Sequence, residues 1–345
     1  MQRDKKPVLE RYRPPLNTFI RTFLQKHTGE YSPLIEYHLG LRDLEGNTTE
    51  KNFGGKALRP TLVLLTTDAL AGNWRTALPA AAAIELFHNF TLIHDDIQDS
   101  DKKRRGKPSV WDRYGVAQAI NAGDALHSVS DLALSALNPK KINPQTILQA
   151  KKLLETTSLQ VVNGQMLDIC FEKKLDVSLE EYFAMIRGKT GILIENAVLM
   201  GTLFTSVDKS TRENLRLYGK YLGEAFQIAD DLLGIWGDPK ETGKPVGSDI
   251  IQRKKSLPIV LALRTETKSA KQELIRIYSQ PKSKLDTKDL GEVLTILAEL
   301  GIKTQAEKLL NITHANAIKA LKRAKLGWAA KDYLALADVV TYRKK

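Results

Sequence analysis

The sequence contains a single cysteine, Cys170, among its 345 residues. One cysteine excludes an internal disulfide and any zinc site built from several cysteines. It also fits a reducing compartment, where disulfides are rare. The chain begins MQRDKKPVLERYRPP, which lacks the apolar segment of a secretory signal, so we expect a cytoplasmic protein.

Long apolar runs and strand patterns are also missing. The longest candidate run, around LPAAAAIELF, is interrupted by Glu85 and His88 and is too short to cross a bilayer. We therefore predict no transmembrane segment. No alternation of apolar and polar residues bounded by turns indicates a sheet, and no repeat at a solenoid period is visible.

Acidic residues are fewer than basic ones. The chain has 52 Lys and Arg against 40 Asp and Glu, which gives a formal net charge of +12. Such an excess implies an anionic partner. Nucleic acid, an acidic membrane surface and a polyanionic small substrate all remain open, because charge alone does not choose among them.

Apolar residues recur at helical spacing along nearly the whole chain. The predicted helices are 16–27, 57–70, 77–97, 117–137, 144–171, 179–204, 211–235, 257–264, 289–300, 304–322 and 329–341. Asn143 before Pro144 and the Ser178…Glu181 pair are helix-start signals. The stretches 47–56, 100–109 and 237–255, rich in Gly, Lys, Arg and Asp, are predicted to be non-helical.

The same pattern predicts the fold class. Long apolar helices with short connections are typical of a large helical bundle that carries its site in the core. No change in composition marks a linker. We therefore predict an all-α fold in one domain over residues 1–345.

Two aspartate clusters end two of the apolar helices. Asp95 and Asp99 in the first cluster, DDIQD, are four residues apart, so both carboxylates share one helix face. An isolated pattern of this kind is more often a solvated helix end, but the preceding stretch 84–93 is largely apolar. The second cluster is Asp230-Asp231. Carboxylates from two such clusters would form a hard-oxygen site that suits Mg²⁺.

Basic residues accompany both clusters. They are Lys56 and Arg59 upstream, Lys102, Lys103, Arg104, Arg105 and Lys107 after the first cluster, and Lys240, Lys244, Arg253, Lys254 and Lys255 after the second. A basic run is usually a solvated loop or a nucleic-acid patch. Next to carboxylate clusters it favours diphosphate, because Arg binds phosphate oxygens in a bidentate way. A basic helical nucleic-acid-binding protein is the non-enzyme alternative, although no recognised binding motif is present.

Ordered motifs make the chain resemble the trans-isoprenyl diphosphate synthases, also called polyprenyl synthetases. The motifs are GGKALRP at 54–60, Glu85 with His88, DDIQD at 95–99, RRGKP at 104–108, GQ at 164–165 with Asp168, GKT at 188–190, FQ at 226–227 with DD at 230–231, and GKPVGSD at 243–249. The resemblance implies an all-α isoprenoid synthase bundle with a central cavity. It also implies dependence on Mg²⁺, with three ions per active site, and a homodimer.

The resemblance implies a role for each matching position. Metal binding falls to Asp95, Asp96, Asp99, Asp230 and Asp231. Binding of the allylic diphosphate falls to Arg104, Lys189 and Lys244, and binding of isopentenyl diphosphate to Lys56, Arg59, His88 and Arg105. Thr190 and Gln227 would lie near the reacting carbons. Two positions depart from the family pattern: Gly234 replaces a third aspartate, which predicts a weaker third metal, and Ala57 stands where Arg is common.

The residues before Asp95 predict the product. Phe90 with the small Thr91 beside it, and Phe87 one turn deeper, resemble the pattern of geranylgeranyl synthases and predict a C20 product. A farnesyl or longer product and a class I terpene cyclase are the alternatives within the fold. A cyclase needs no second diphosphate site, and a non-catalytic partner subunit should have lost its metal ligands.

Overall fold

The computed structural model describes residues 7–49, 55–238, 246–281 and 284–342. Its regular structure is almost entirely helical, so the all-α prediction is confirmed. The helices are α1 (Val8–Arg11), α2 (Arg13–Lys26), α3 (Ser32–Leu39), α4 (Leu58–Ala69), α5 (Leu78–Gln98), α6 (Val110–Tyr114), α7 (Val116–Ser135), α8 (Pro144–Glu172), α9 (Leu179–Ile186), α10 (Ile192–Thr202), α11 (Lys209–Trp236), α12 (Ser248–Ile251), α13 (Leu257–Leu263), α14 (Lys268–Tyr278), α15 (Thr287–Glu299), α16 (Ile302–Ala324) and α17 (Ala330–Thr341).

The chain divides into two compact units. Unit one comprises Met1–Glu155, Asn196–Arg212 and Leu326–Ala329, and unit two comprises Thr156–Glu195, Glu213–Lys325 and Ala330–Lys345. Helices α8, α10 and α11 contribute residues to both units. The single-domain organisation stays a prediction.

Helix α5 is the central helix of unit one and packs against α2, α4 and α7. Its residues 80–84, like 62–65 of α4, have no exposed surface. The contact between α5 and α7 requires a glycine, because a Cβ at Gly123 would overlap the ring of His94. This packing holds the C-terminal end of α5, with its aspartates, in a fixed place within the unit.

The segment Trp74–Gln98, which includes α5, also bears on the membrane prediction. By length and composition it could cross a bilayer, although the sequence reading found no such run. Its most apolar window is 67% buried inside the protein, the pattern of a core helix, so the segment is weak evidence for membrane insertion.

The described part of unit two contains two apolar clusters. One includes Ile235, Ile250 and Ile277, and the other includes Tyr182 and Ile228. Because α11 contributes to both clusters, the C-terminal part of that helix is packed on more than one side.

Several predicted boundaries need correction. The predicted helix 179–204 is interrupted by a π-helical turn, Arg187–Gly191, which separates α9 from α10. The short helices α1, α3, α6, α12 and α14 were not predicted. The stretch 100–109 contains a hairpin of two-residue strands, β1 (Lys103–Arg104) and β2 (Lys107–Pro108). Strands this short leave no alternation to detect in a sequence.

Candidate active site

The first aspartate cluster ends α5, in unit one. Asp95 and Asp99 are half-buried, whereas Asp96 is 1% exposed and accepts a hydrogen bond from Arg104 Nε to its Oδ1 at 2.9 Å. Burial raises the pKa of Asp96, and the pairing with Arg104 opposes that shift. The cluster therefore contains one carboxylate occupied by an ion pair and two on a shared helix face.

The cationic side chains of the β1–β2 hairpin contact different hydrogen-bond partners. Its turn residues Arg105 and Gly106 have φ values of 53° and 79°, the left-handed conformation that a two-residue hairpin turn requires. Arg104 pairs with Asp96 on one side. Lys107 donates to the Tyr37 carbonyl, and burial lowers the pKa of Lys107 to about 8. The RRGKP motif is thus a structured hairpin and not a solvated loop.

Arg105 reaches buried groups of α5 and α3. Its Nη2 donates to Asn89 Oδ1 at 3.2 Å, and its Nη1 donates to the His38 carbonyl at 3.4 Å. Asn89 Nδ2 in turn donates to the Glu85 carbonyl at 2.8 Å. Glu85 is buried, and burial raises its pKa while Arg105 and Arg59 oppose the shift.

Arg59 and His88 lie near Arg105, and these three residues form the cationic group of unit one. Arg59 Nη1 lies 3.0 Å from His88 Nε2. Burial lowers the pKa of His88 well below its usual value, and the neighbouring Arg59 and Arg105 lower it further. A neutral His88 accepts from Arg59 at Nε2 and keeps a donor at Nδ1. Lys56 is exposed just before α4, next to Gly55, which lies beside the Arg105 guanidinium.

Two buried residues of this group were missed by sequence reasoning. They are Asn89 and His38, which belong to none of the sequence motifs. His38 is 3% exposed, and burial together with Arg105 lowers its pKa well below its usual value. Only the neighbours of these residues in space reveal them.

In unit two, the second set of predicted residues forms a hydrogen-bonded chain. Thr190 donates to Gln227 Oε1 at 2.8 Å, and Gln227 Nε2 donates to Asp231 Oδ1 at 2.9 Å. Asp231 Oδ2 also accepts from the Tyr182 hydroxyl and from the Leu257 amide, each at 2.7 Å. Burial raises the pKa of Asp231 to about 7, and these three hydrogen bonds oppose the shift.

Asp230 and Lys189 complete the described part of this set. Asp230 is exposed at the surface of unit two. Lys189 Nζ lies 2.5 Å from Asp168 Oδ2. Lys244 lies outside the described residues.

Glycines shape the π-helical turn that carries Lys189 and Thr190. A Cβ at Gly164 would overlap the backbone of Gly188 and Lys189, and a Cβ at Gly223 would press on the backbone of Gly191. The turn is therefore held between α8 and α11 at two glycine contacts. π-helical turns of this kind are frequent at functional sites.

The predicted chain-length residues lie in an aromatic cluster of unit one. The ring centroids of Phe87 and Phe90 are 5.4 Å apart, and the Phe90 centroid lies 5.0 Å from that of His127 on α7 and 4.9 Å from that of His94. Phe87 is fully buried, whereas Phe90 and Thr91 are half-buried. His127, which belongs to none of the sequence motifs, is part of this cluster.

The donor groups present fit Mg²⁺. Within the described ranges, no three His, Cys, Asp or Glu side chains are grouped to hold a metal ion. Mg²⁺ does not need three, since proteins usually bind it through one or two carboxylates and leave the other positions to water and phosphate oxygens. Asp95 and Asp99 on one helix face meet that requirement.

Comparison with known proteins gives a consistent result. The polyprenyl synthetase family model matches residues 45–297. The chain is 34% identical to the geranylgeranyl diphosphate synthase of Mycobacterium tuberculosis H37Rv over 98% of this chain and 94% of that protein. It is 38% identical to the (2E,6E)-farnesyl diphosphate synthase of the same strain over 75% of this chain and 70% of that protein.

A solved structure extends the likeness to the fold. The polyprenyl synthetase of Streptomyces coelicolor A3(2) is 34% identical and superimposes with a TM-score of 0.86, covering 96% of this chain and 98% of that one. With the ordered motifs, the all-α architecture and a family match over most of its length, the chain belongs to the polyprenyl synthetase family.

Proposed function

We propose that this protein joins isopentenyl diphosphate head to tail with allylic diphosphates and releases an all-trans prenyl diphosphate, geranylgeranyl diphosphate (C20). One observation supports the proposal: unit one holds two chemically different sites that suit diphosphates. One is the carboxylate pair Asp95 and Asp99, which would hold a diphosphate through Mg²⁺, and the other is the cationic group of Arg59, His88 and Arg105, which would bind one directly. A terpene cyclase has use for the first site alone.

The carboxylates would hold Mg²⁺, with three ions per active site. Asp95, Asp99 and Asp230 are the proposed ligands, because the first two residues are half-buried and the third is exposed. The oxygens of Asp96 and Asp231, also predicted to bind metal, accept hydrogen bonds inside the protein. This favours a supporting role for these two carboxylates. When bound, Mg²⁺ neutralises the charge that develops on the departing diphosphate.

Protein groups then act on the reacting carbons. The allylic C–O bond breaks, the double bond of isopentenyl diphosphate attacks the allylic cation, and the released diphosphate takes the proton that is lost.

Lys189, with Lys244 and Arg104, binds the allylic diphosphate. The Thr190 hydroxyl, fixed by Gln227, presents its oxygen to positive charge. Arg59, His88, Arg105 and Lys56 hold the isopentenyl diphosphate.

The product length follows from the aromatic cluster. Phe90, backed by Phe87, would close the end of the tail pocket and stop extension at C20, while Thr91 leaves room beside it. Relatives with farnesyl and with geranylgeranyl products both match the chain, so the length is a property to measure.

A homodimer and a cytoplasmic location belong to the same proposal. On the unit-two part of α8, the exposed apolar side chains Leu159, Val162, Met166 and Ile169 follow one another at helical spacing. Leu159 is 72% exposed, which is unusual for a surface leucine and fits a surface covered by a second copy. The cytoplasmic location rests on the single cysteine.

The decisive experiment is incubation with isopentenyl diphosphate, each allylic primer in turn and Mg²⁺, followed by measurement of product length. We expect C20 product, loss of turnover in excess chelator, and a fall of turnover by orders of magnitude in Asp95→Asn, with Asp112→Asn on α6 as the surface control. Hydrocarbon release without isopentenyl diphosphate would indicate a cyclase. Salt-dependent nucleic-acid binding without turnover would favour the non-enzyme alternative.

A further inference from the structure

The β1–β2 hairpin of unit one needs support from outside its own strands. Each strand has two residues, and an isolated hairpin is at best marginally stable in water. Its turn places Arg105 at a φ of 53°, a conformation that residues other than glycine rarely adopt. The bond from Ser109 N to the Lys102 carbonyl, 2.9 Å long, closes the hairpin but does not attach it to the rest of the unit. Contacts with neighbouring helices must therefore hold the hairpin in place.

Both residues of strand β2 contact Tyr37 of α3. The Tyr37 hydroxyl donates to the Pro108 carbonyl at 2.7 Å. Lys107 Nζ donates to the Tyr37 carbonyl and lies 3.9 Å from the centroid of the Tyr37 ring. The face of an aromatic ring attracts a cation at that distance. Tyr37 therefore holds β2 through its hydroxyl, its ring and its backbone.

The Tyr37 side chain is itself fixed by its neighbours. It is 1% exposed, and its ring packs edge-on against the ring of Tyr114 on α6, with the centroids 5.6 Å apart. The Arg113 guanidinium lies 5.0 Å from the centroid of the Tyr37 ring. A phenol keeps its proton at neutral pH, so the hydroxyl remains a donor. Tyr37 thus offers β2 a rigid point of attachment.

Strand β1 and the turn carry the two arginines proposed to bind different diphosphates. Arg104 Nε donates to Asp96 Oδ1 at 2.9 Å, and Arg105 Nη2 donates to Asn89 Oδ1 at 3.2 Å. Because the two arginines are adjacent, a displacement of the hairpin moves both guanidinium groups. We propose that Tyr37 is a positioning residue for the hairpin and, through it, for both diphosphate sites. The inference rests on the proposed function and adds to it one residue that acts on both substrates.

Three roles for Tyr37 predict three different results. A purely structural role would lower the free energy of unfolding and leave the affinity of the folded protein for both substrates unchanged. A direct role in one diphosphate site would raise KM for one substrate. A positioning role raises KM for both substrates, since Arg104 and Arg105 lie on the same hairpin.

The test is Tyr37→Phe, which removes the hydrogen bond to Pro108 and keeps the buried ring. We expect KM for isopentenyl diphosphate and KM for the allylic diphosphate each to rise about fivefold, the usual effect of losing one neutral hydrogen bond, with kcat near wild type. Isothermal titration calorimetry with isopentenyl diphosphate alone should show the same loss of affinity without turnover. Tyr31→Phe is the matched control, because the Tyr31 hydroxyl donates at 3.3 Å to the His27 carbonyl, away from the hairpin.

A second background shows whether Tyr37 acts through the arginines. In Arg105→Ala, adding Tyr37→Phe should no longer raise KM for isopentenyl diphosphate, because the group through which Tyr37 acts on that substrate is gone. KM for the allylic diphosphate should still rise about fivefold in that background, since Arg104 is still present. Urea unfolding of each variant checks that it is folded.

Unchanged KM values and unchanged calorimetric affinity in a folded Tyr37→Phe variant would overturn the inference. A rise in KM for one substrate alone would also overturn it. Failure of the proposed function would appear separately, as absence of prenyl transfer by the wild type, and the calorimetric comparison would then still decide the inference.

Discussion

Among single residues, Asn89 connects the cationic group of unit one to the buried body of α5. Its side chain is 1% exposed and bonds in two directions, to the Glu85 carbonyl and to the Arg105 guanidinium. Arg105 sits in a left-handed turn at the tip of a short hairpin, so its guanidinium depends on Asn89 and the His38 carbonyl for its orientation. Asn89 is therefore a positioning residue for Arg105.

Replacing Asn89 should affect one substrate. We expect Asn89→Ala to raise KM for isopentenyl diphosphate about tenfold, since a contact to a charged group contributes about 1.5–3 kcal/mol and Asn89 acts through Arg105. KM for the allylic diphosphate and kcat should stay near wild type. Steady-state kinetics with each substrate varied in turn measures this.

A double variant separates positioning from a general loss of structure. In the Arg105→Ala background, Asn89→Ala should add little further loss, because the residue through which it acts is gone. A second tenfold loss in that background would mean that Asn89 acts independently of Arg105.

The sequence revealed charged residues more readily than neutral ones. Asp95, Asp99 and the RRGKP cations are conspicuous because they follow an apolar run, and their roles stay predictions. Asn89 and His38 are polar residues within helices, and their importance depends on neighbours far away along the chain. Asp249 belonged to a recognised motif, but its place beside Gly234 required the fold.

At the scale of elements, the π-helical turn between α9 and α10 determines where Lys189 and Thr190 lie. We expect Gly164→Ala to lower the free energy of unfolding by about 1–3 kcal/mol, because the new methyl group overlaps the backbone of that turn. It should also raise KM for the allylic diphosphate, since Lys189 is displaced. Chemical denaturation and kinetics measure the two effects.

Gly291 on α15 provides the matched control. It is a helical glycine with nothing within 4 Å of an added Cβ. Gly291→Ala should therefore raise stability by about 0.5–1 kcal/mol, the usual helix preference for alanine. A gain of that size for Gly164→Ala would contradict the packing argument.

The aromatic cluster of α5 and α7 makes a prediction about product length. Phe90→Ala should lengthen the products beyond C20, and Phe87→Ala added to it should lengthen them further, because the Phe87 ring packs edge-on against the Phe90 ring. Chromatography of the dephosphorylated products measures this. Phe183→Ala, on α9 in unit two, should leave the length unchanged. A double variant that still stops at C20 would show that the floor lies elsewhere.

The helices also show where the spacing of apolar residues does not predict the structure. Most long helices were predicted within a few residues of their bounds, because their apolar spacing is regular. A π-helical turn adds one residue to a turn without changing the composition, so the predicted helix 179–204 concealed the interruption. Segments of four or five residues, such as α1 and α12, are too short to establish a period.

For the molecule as a whole, Lys255 makes the free energy of unfolding change with pH in the alkaline range. This lysine is 2% exposed, its Nζ donates to the Glu172 carbonyl at 3.0 Å, and burial lowers its pKa to about 8. The unfolded chain holds the proton up to about pH 10.4, so between these values the unfolded state binds more protons. The contribution of Lys255 to the free energy of unfolding therefore rises with pH over that range.

The expected signature is a difference between variants. Urea unfolding of the wild type and Lys255→Met from pH 7.5 to 10.5 should show the wild type gaining stability relative to the variant as pH rises. Lys288→Met, at a side chain that is 84% exposed, should show no such trend. A constant difference between the wild type and Lys255→Met would contradict the assignment.

In the hydrogen-bonded chain from Thr190 to Asp231, every hydrogen bond is donated toward Asp231. When ionised, Asp231 can only accept, so it fixes the amide of Gln227 with its nitrogen inward, and the amide oxygen then receives the Thr190 proton. The outward side of the Thr190 oxygen is left with lone pairs and no hydrogen. Asp231→Asn would allow the Gln227 amide to rotate and reverse this order, so that the Thr190 hydroxyl would turn its proton outward. A buried carboxylate thus determines the polarity that an arriving cation would meet.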